Sequence, residues 1–279
     1  MNKVAFITGA SRGIGKCVGH KLASNGWDIV VAAKSTEENP KLPGTIFTAA
    51  DELSEHGTDI LPVRCDVTDL ESIQTAVDAT LDHYGRIDAV INNAGALWWK
   101  NMDETPMKRY DLINNVNARG SFAVTQAFLP TMQKQKSGHV ICMSPPYDEE
   151  MFPGHIAYCI SKFGMTMMAQ GISMEMKDYN IHGSALWPHT MIESLATINW
   201  GLGDTSTWRK ADILADATFE ILQHPELSSG KALLDEHFLR LVGYTDFDQY
   251  LCEPGGKPQV ISRPNQRAQQ APVEGEVLS

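Results

Sequence analysis

Val4-Ala-Phe-Ile-Thr8-Gly9-Ala-Ser-Arg12-Gly13-Ile-Gly15 is the stretch whose reading decides the fold. Residues 4–8 form a short apolar run without alternation, the pattern of a strand buried on both faces, as in parallel sheets covered by helices. Three glycines follow at once, at 9, 13 and 15, and a helical pattern starts behind them. Glycine permits a tight turn and lets the backbone approach a pyrophosphate, which rests on the amino end of the next helix. This turn, between a first strand and a first helix, predicts a dinucleotide site, with Gly9, Ser11, Arg12, Gly13, Ile14 and Gly15 as contacts.

The alternation continues outward. Residues 28–33 read as a second strand, 60–65 as a third, and 87–91 as a fourth that runs into Asn92-Asn93-Ala94-Gly95; 181–187 and 231–234 are later strands. Helices are expected over 45–55, 70–84, 115–133, 156–178 and 211–223. In the second of these, apolar residues at 70, 73, 76, 77 and 81 follow a helical period. Strand and helix in this order predict an α/β fold, a single Rossmann-type doubly wound parallel sheet with helices on both faces, over residues 1–250. The second strand ends at Lys34, where a site for NAD usually carries an acid for the ribose hydroxyls. With that acid missing, Arg12 and Lys34 suit a 2′-phosphate at roughly 1.5–3 kcal/mol per charge-assisted contact, so NADP is expected over NAD. Asp66, after the third strand, is either a capping acid or a contact to the adenine amino group, and Val67 beside it joins the cofactor set.

Tyr158-Cys-Ile-Ser161-Lys162 lies in the long helix expected over 156–178. Four residues apart, the phenol and the ammonium share one face of the helix, so the lysine can favour the ionised tyrosine. Moving a tyrosine from about 10 to neutrality needs roughly 4 kcal/mol at about 1.4 per unit, which one lysine supplies in part. The layout is that of an acid/base pair.

Composition narrows the partners. The 279 residues carry a formal net charge of −11, which argues against nucleic acid or an anionic membrane as the main partner. Five scattered cysteines without C-x-x-C spacing support neither a disulfide framework nor a zinc site, and no metal is expected. They fit reduced thiols in a cytoplasmic protein. No apolar run reaches the length of a membrane span.

Gly9-x-x-x-Gly13-x-Gly15, Asn92-Asn93-Ala94-Gly95, Asn117-Ala-Arg-Gly120 and Tyr158-x-x-x-Lys162 together resemble the short-chain dehydrogenase/reductase family. Ala-Ala-Lys34-Ser, Met-Ser144-Pro-Pro, Leu-Trp187-Pro and Asp246-Phe-Asp-Gln-Tyr resemble its hydroxysteroid-dehydrogenase-like branch. Some members of that branch carry a C-terminal sterol-carrier domain, for which these 279 residues leave no room. The resemblance implies an Asn-Ser-Tyr-Lys tetrad. Asn117 matches the residue whose carbonyl holds a water to the lysine, Tyr158 the proton donor or acceptor, and Lys162 the residue that lowers its pKa and binds the nicotinamide ribose. The serine departs from the pattern: its usual place, thirteen residues before the tyrosine, is Pro145, and Ser144 is one residue further off. Unless a register shift brings Ser144 into place, Tyr158 polarises the substrate oxygen, with a water or Tyr147. The resemblance also assigns Asn93, Ala94 and Gly95 to the cofactor, and Pro188 and Thr190 to the nicotinamide carboxamide, with His189 standing where glycine is usual.

It further implies a small lid around 191–210 and a homo-dimer or homo-tetramer, since Phe122, Phe128, Phe163, Met167 and Met168 exceed what one helix face on a sheet requires. Leu97, Trp98, Met151, Phe152, Trp187, Met191 and Trp200 fall in segments that face the site in the family, which suggests a lipid-, terpenoid- or sterol-like alcohol or carbonyl substrate. Pro145 and His189 leave open a non-catalytic, NADP-binding regulatory or scaffolding subunit, and dehydration or epimerisation on the same fold is a further alternative. Residues 254–279 are rich in Pro, Gln, Gly and Glu and read as a disordered tail.

Overall fold

The computed structural model describes residues 2–40 and 42–261. In chain order it contains β1 (Val4–Thr8), α1 (Gly13–Ser24), β2 (Asp28–Ala33), α2 (Ile46–Ser54), β3 (Ile60–Arg64), α3 (Leu70–Tyr84), β4 (Ala89–Asn92), α4 (Met107–Asn114) and α5 (Gly120–Gln135). There follow β5 (Gly138–Met143), α6 (Ile156–Glu175), β6 (Ile181–Trp187), α7 (Leu195–Asn199), α8 (Asp212–Gln223), α9 (Pro225–Ser228), β7 (Ala232–Leu234) and α10 (Asp235–Leu241).

The seven strands form one sheet in the order β3-β2-β1-β4-β5-β6-β7, every pair parallel. Strand β1 shows why its sequence does not alternate. Ala5 and Ile7 enter the core under α1, α2, α8 and α10, whereas Val4 and Phe6 enter the core under α3, α5 and α6. Both faces are covered, as an all-parallel sheet requires. Strand order reverses between β1 and β4, so a crevice opens beyond their carboxyl ends.

Three segments differ from the sequence reading. The helix expected over 115–133 begins earlier: α4 runs into a π-helical segment, Asn115–Arg119, which runs into α5. Propensity does not reveal this, because one wide turn costs no change in composition. The long helix expected to 178 stops at Glu175, with a 3-10 turn over Lys177–Tyr179 and Asn180 at φ 53° behind it. The third difference lies in the stretch read as a tail. Residues 254–261 form a strap, with Lys257 N donating to Ser206 O at 2.7 Å, Gln259 N to Thr207 O at 3.0 Å, Met191 N to Gln259 O at 2.8 Å and Ile261 N to His189 O at 3.0 Å. Its polar composition is compatible with order because main-chain pairing, not side-chain burial, holds it. Residues 262–279, the rest of the expected tail, lie outside the described residues. Among the described residues no helix is long and apolar enough to cross a membrane, and no cluster of His, Cys, Asp or Glu is arranged to hold a metal ion.

Candidate active site

The glycine turn packs backbone against backbone. A Cβ on Gly15 would stand 2.6 Å from Gly9 O and 2.5 Å from Asn93 Nδ2, and one on Gly9, at φ +68°, would stand 3.0 Å from Ala94 Cα. Asn93 Nδ2 donates to Thr8 O at 3.0 Å and Gly9 O at 3.2 Å. The Thr8 hydroxyl accepts from Asn93 N and Ala94 N, both at 3.0 Å, which binds the end of β1 to the loop after β4. Thr8 escaped the sequence reading, although a hydroxyl on the last residue of the first strand is a visible signal. Ser11 is buried and Ile14 leans on the core, while open space surrounds Gly13, at φ +55°. Helix α1 carries no side-chain cap, so its first N–H groups face this crevice without a protein side chain to satisfy them. A cradle that a Cβ would fill, at an uncapped helix start, fits a pyrophosphate.

At the neighbouring end of β2, Arg12 reaches across and fastens the following loop. Its guanidinium donates to Pro43 O at 3.0 Å, Gly44 O at 2.6 Å and Ser35 Oγ at 3.0 Å. Lys34 is exposed beside Asp66. Burial works to raise Asp66, but hydrogen bonds from the Thr68 hydroxyl (2.7 Å) and N–H (3.0 Å), with Lys34 and Arg64 nearby, hold its carboxyl below the usual range. Asp66 therefore caps its own turn, and Asp69 caps α3. Val67 is packed against Gly120, whose Cβ would stand 2.8 Å from Val67 O.

The tyrosine and lysine are both buried on α6, at 7% and 4% exposure, and make no hydrogen bond to each other. Lys162 Nζ donates to Met143 O at 2.7 Å and stands 5.9 Å from the centre of the Tyr158 ring and 5.4 Å from that of Trp187. Burial pulls the lysine down to about 8 and pushes the tyrosine above its ordinary value, with Cys159 adding to the latter. The sequence expectation of a lowered tyrosine weighed the lysine's charge and left out this desolvation cost. A Cβ on Gly95 would stand 3.7 Å from Lys162 Nζ, which leaves the lysine reachable from the glycine crevice.

Asn117 sits in the π segment, fully buried. Its amide accepts from Ala96 N at 2.8 Å and donates to Ala96 O and Ser161 Oγ, both at 2.9 Å. It pins the loop after β4 to α6. Ser144 is not brought to the tyrosine: its buried hydroxyl accepts from Thr166 Oγ1 at 2.9 Å, and Pro145 O accepts from the same threonine at 2.6 Å. Tyr147 is exposed and packs edge-on against Phe152 and at a tilt against Phe163.

A cavity of about 600 Å³ opens over Tyr158. Trp99, Trp187, Met151, Met191 and Leu202 supply apolar wall, Asp148, Glu150 and His155 polar wall, and Gln259, Val260 and Ile261 the roof. The Trp99 and Trp187 indole nitrogens and His155 Nδ1 are buried without a hydrogen-bond partner, as is the Thr190 hydroxyl in the loop after β6. Pro188 is buried, and His189 N donates to Asp235 Oδ1 at 2.8 Å. Burial raises Asp235 to about 7, against the opposing pull of the His189 and Glu236 N–H groups. Asp235 and the strap had no motif to announce them, although an acid directly after an apolar strand was a signal for the former.

Comparison with known proteins adds to this geometry. The short chain dehydrogenase family model matches residues 3–197. Hydroxysteroid dehydrogenase-like protein 2 from Bos taurus is 43% identical over 253 residues, 90% of this chain and 60% of that protein. Its counterpart from Mus musculus is 42% identical over 253 residues, 90% of this chain and 51% of that protein. The chain thus spans only about half to three-fifths of these curated relatives. The crystal structure of a short chain dehydrogenase from Mycobacterium thermoresistibile superposes with a TM-score of 0.87 at 37% identity, covering 97% of this chain and 99% of that one.

Proposed function

Because the chain belongs to the short-chain dehydrogenase family, in its hydroxysteroid-dehydrogenase-like branch, we propose that it is an NADP-dependent oxidoreductase interconverting an apolar alcohol and its carbonyl compound. The observation that carries the reading is the meeting at the carboxyl end of the sheet of an uncapped glycine cradle and a cavity lined by Tyr158. Bound nicotinamide supplies or accepts the hydride. Gly9, Ser11, Gly13, Ile14 and Gly15 hold the pyrophosphate, Arg12 and Lys34 with Ser35 hold the 2′-phosphate, and Asp66 and Val67 flank the adenine. Asn93, Ala94 and Gly95 line the ribose side. Thr190, with its unpartnered hydroxyl, and Pro188 take the carboxamide.

Tyr158 moves the proton. In oxidation its phenolate takes the hydroxyl proton of the alcohol, and in reduction its hydroxyl protonates the carbonyl oxygen. Burial resists the phenolate, so Lys162, at about 8 and still largely charged at neutral pH, has to offset that cost and also holds the ribose. Asn117 acts as a positioning residue through Ala96 and Ser161. With the Ser144 hydroxyl engaged by Thr166, the second polar contact to the substrate oxygen falls to His155, one turn before Tyr158 on the cavity wall.

The test is nicotinamide absorbance at 340 nm with a panel of neutral alcohols and carbonyl compounds. Turnover that disappears in Tyr158→Phe supports the reading. NADP binding without turnover of any of them favours the scaffolding subunit, for which the turned-away Ser144 is the motivating observation. The cytoplasmic setting and a homo-oligomer complete the proposal. Phe122, Ile160, Met167 and Met174 are exposed on α5 and α6, at 56%, 49%, 72% and 76%, and an isologous interface would cover them. Phe128, by contrast, is spent in the monomer's own core. Light scattering at micromolar concentration should give a dimer or tetramer, and a monomer would count against this part.

A further inference from the structure

The walls of the cavity come from segments ending at Leu202, but its roof comes from Gln259, Val260 and Ile261. Main-chain bonds fix this roof from two sides. Gln259 N and Lys257 N donate to Thr207 O and Ser206 O of the segment after α7, while Gln259 O and Ile261 N bond Met191 N and His189 O of the loop after β6. Val260 pairs directly with Thr190 in an antiparallel bridge. The backbone at 257–261 is thus held on the loop that also carries the unpartnered Thr190 hydroxyl.

Held in this way, Val260 remains 41% exposed. An apolar side chain with a fixed Cα, on a cavity lining rather than in a core, can change volume without breaking the pairs that hold it. Met151, Trp187 and Leu202 line the same cavity, and the carboxyl groups of Asp148 and Glu150, also on its lining, disfavour an anionic ligand.

We propose that the strap, through Val260 and Ile261, sets the length of neutral apolar substrate that the cavity accepts. The inference rests on the oxidoreductase reading for the identity of the ligand. Straight-chain methyl ketones from 2-butanone to 2-dodecanone, reduced with NADPH, probe it in the full-length chain. Val260→Trp should lower kcat/KM at least tenfold for the longest ketone turned over and less than twofold for the shortest, with NADPH affinity unchanged within twofold. Val260→Ala should extend the profile towards longer ketones. Superimposable length profiles in the three proteins would overturn the strap's role while turnover itself upholds the oxidoreductase. If no ketone is turned over, the same series is titrated against tryptophan fluorescence in the NADPH-loaded protein. A length-dependent difference between wild type and Val260→Trp then upholds the strap and removes the oxidoreductase reading. Identical titrations, or none, overturn the strap as well.

Discussion

The glycine crevice and the cavity over Tyr158 share the carboxyl end of the sheet, but they are made of different material. In the crevice, main chain touches main chain: a Cβ on Gly15 would lie 2.6 Å from Gly9 O, and the Thr8 hydroxyl binds two successive N–H groups of the opposite loop. In the cavity, side chains from the loop after β4, the loop after β5, α6, β6, residues 191 and 202 and the strap face one another. A site made of backbone tolerates few residue types at each position, because the missing side chain is the fitting part. A site made of side chains tolerates many, because a neighbour can fill what one residue vacates. The first therefore constrains residue type, and the second, Tyr158 apart, constrains mainly size and polarity.

Four measurements would sharpen or break this contrast. The largest effect belongs to the group where the two regions meet. Tyr158→Phe should lower kcat by about two to four powers of ten, the usual weight of a positioned proton-transfer group, with NADP affinity retained. Lys162→Met should damage both quantities, and a variant that lost rate alone would place the lysine wholly on the cavity side. Next comes Gly15→Ala, whose methyl has backbone in its way. Overpacking of roughly 1–3 kcal/mol should weaken NADP binding by about one to two powers of ten, read by fluorescence titration. Wild-type affinity would show the crevice to be as plastic as the cavity.

A smaller effect is expected at the mouth of the crevice. Arg12→Ala and Lys34→Ala should each cost about tenfold in NADP affinity and leave NAD nearly unchanged, since an exposed charge contributes only part of a full contact. Equal losses for both nucleotides would assign Arg12 to its loop contacts with Pro43 and Gly44 alone. The smallest effect concerns Asp235 beneath the loop of His189. Its carboxyl keeps a proton up to about pH 7 in the folded protein but releases it near 4 when unfolded. Between those values the folded state binds more protons, so this contribution to stability is complete below about pH 4 and lost as pH rises through 7. Asp235→Asn lacks the titration, so its Tm relative to wild type should climb from pH 5 to pH 8. A constant difference across that range would remove the carboxyl from the pH response.

The same contrast explains what the sequence disclosed. Gly9, Gly13 and Gly15 could be read because close backbone approach leaves a residue type behind, and Val4–Thr8 because burial on two faces leaves a run. Tyr158 and Lys162 were legible from helical spacing, but the desolvation that pulls them in opposite directions depends on packing that spacing does not encode. The strap was illegible for a further reason: main-chain pairing makes no demand on composition, so Pro254-Gly-Gly-Lys-Pro-Gln looked like solvent-exposed chain. Asp235 was missed because its partners, His189 and Arg209, are distant in sequence.

The π segment at Asn115–Arg119 carries one more consequence, about length rather than identity. A wide turn holds about one residue more than an α-turn, and one residue is worth about 100° of rotation about a helix axis. Helices α4 and α5 are consequently one rod in two phases: Ile113 on the first faces Tyr158, while Val124 and Phe128 on the second face the sheet. Deleting Val116 would remove one half-buried apolar contact and let the rod run on as an ordinary helix. It would also rotate Asn117 off Ala96 and Ser161, so at this point the molecule counts its residues more strictly than it chooses them.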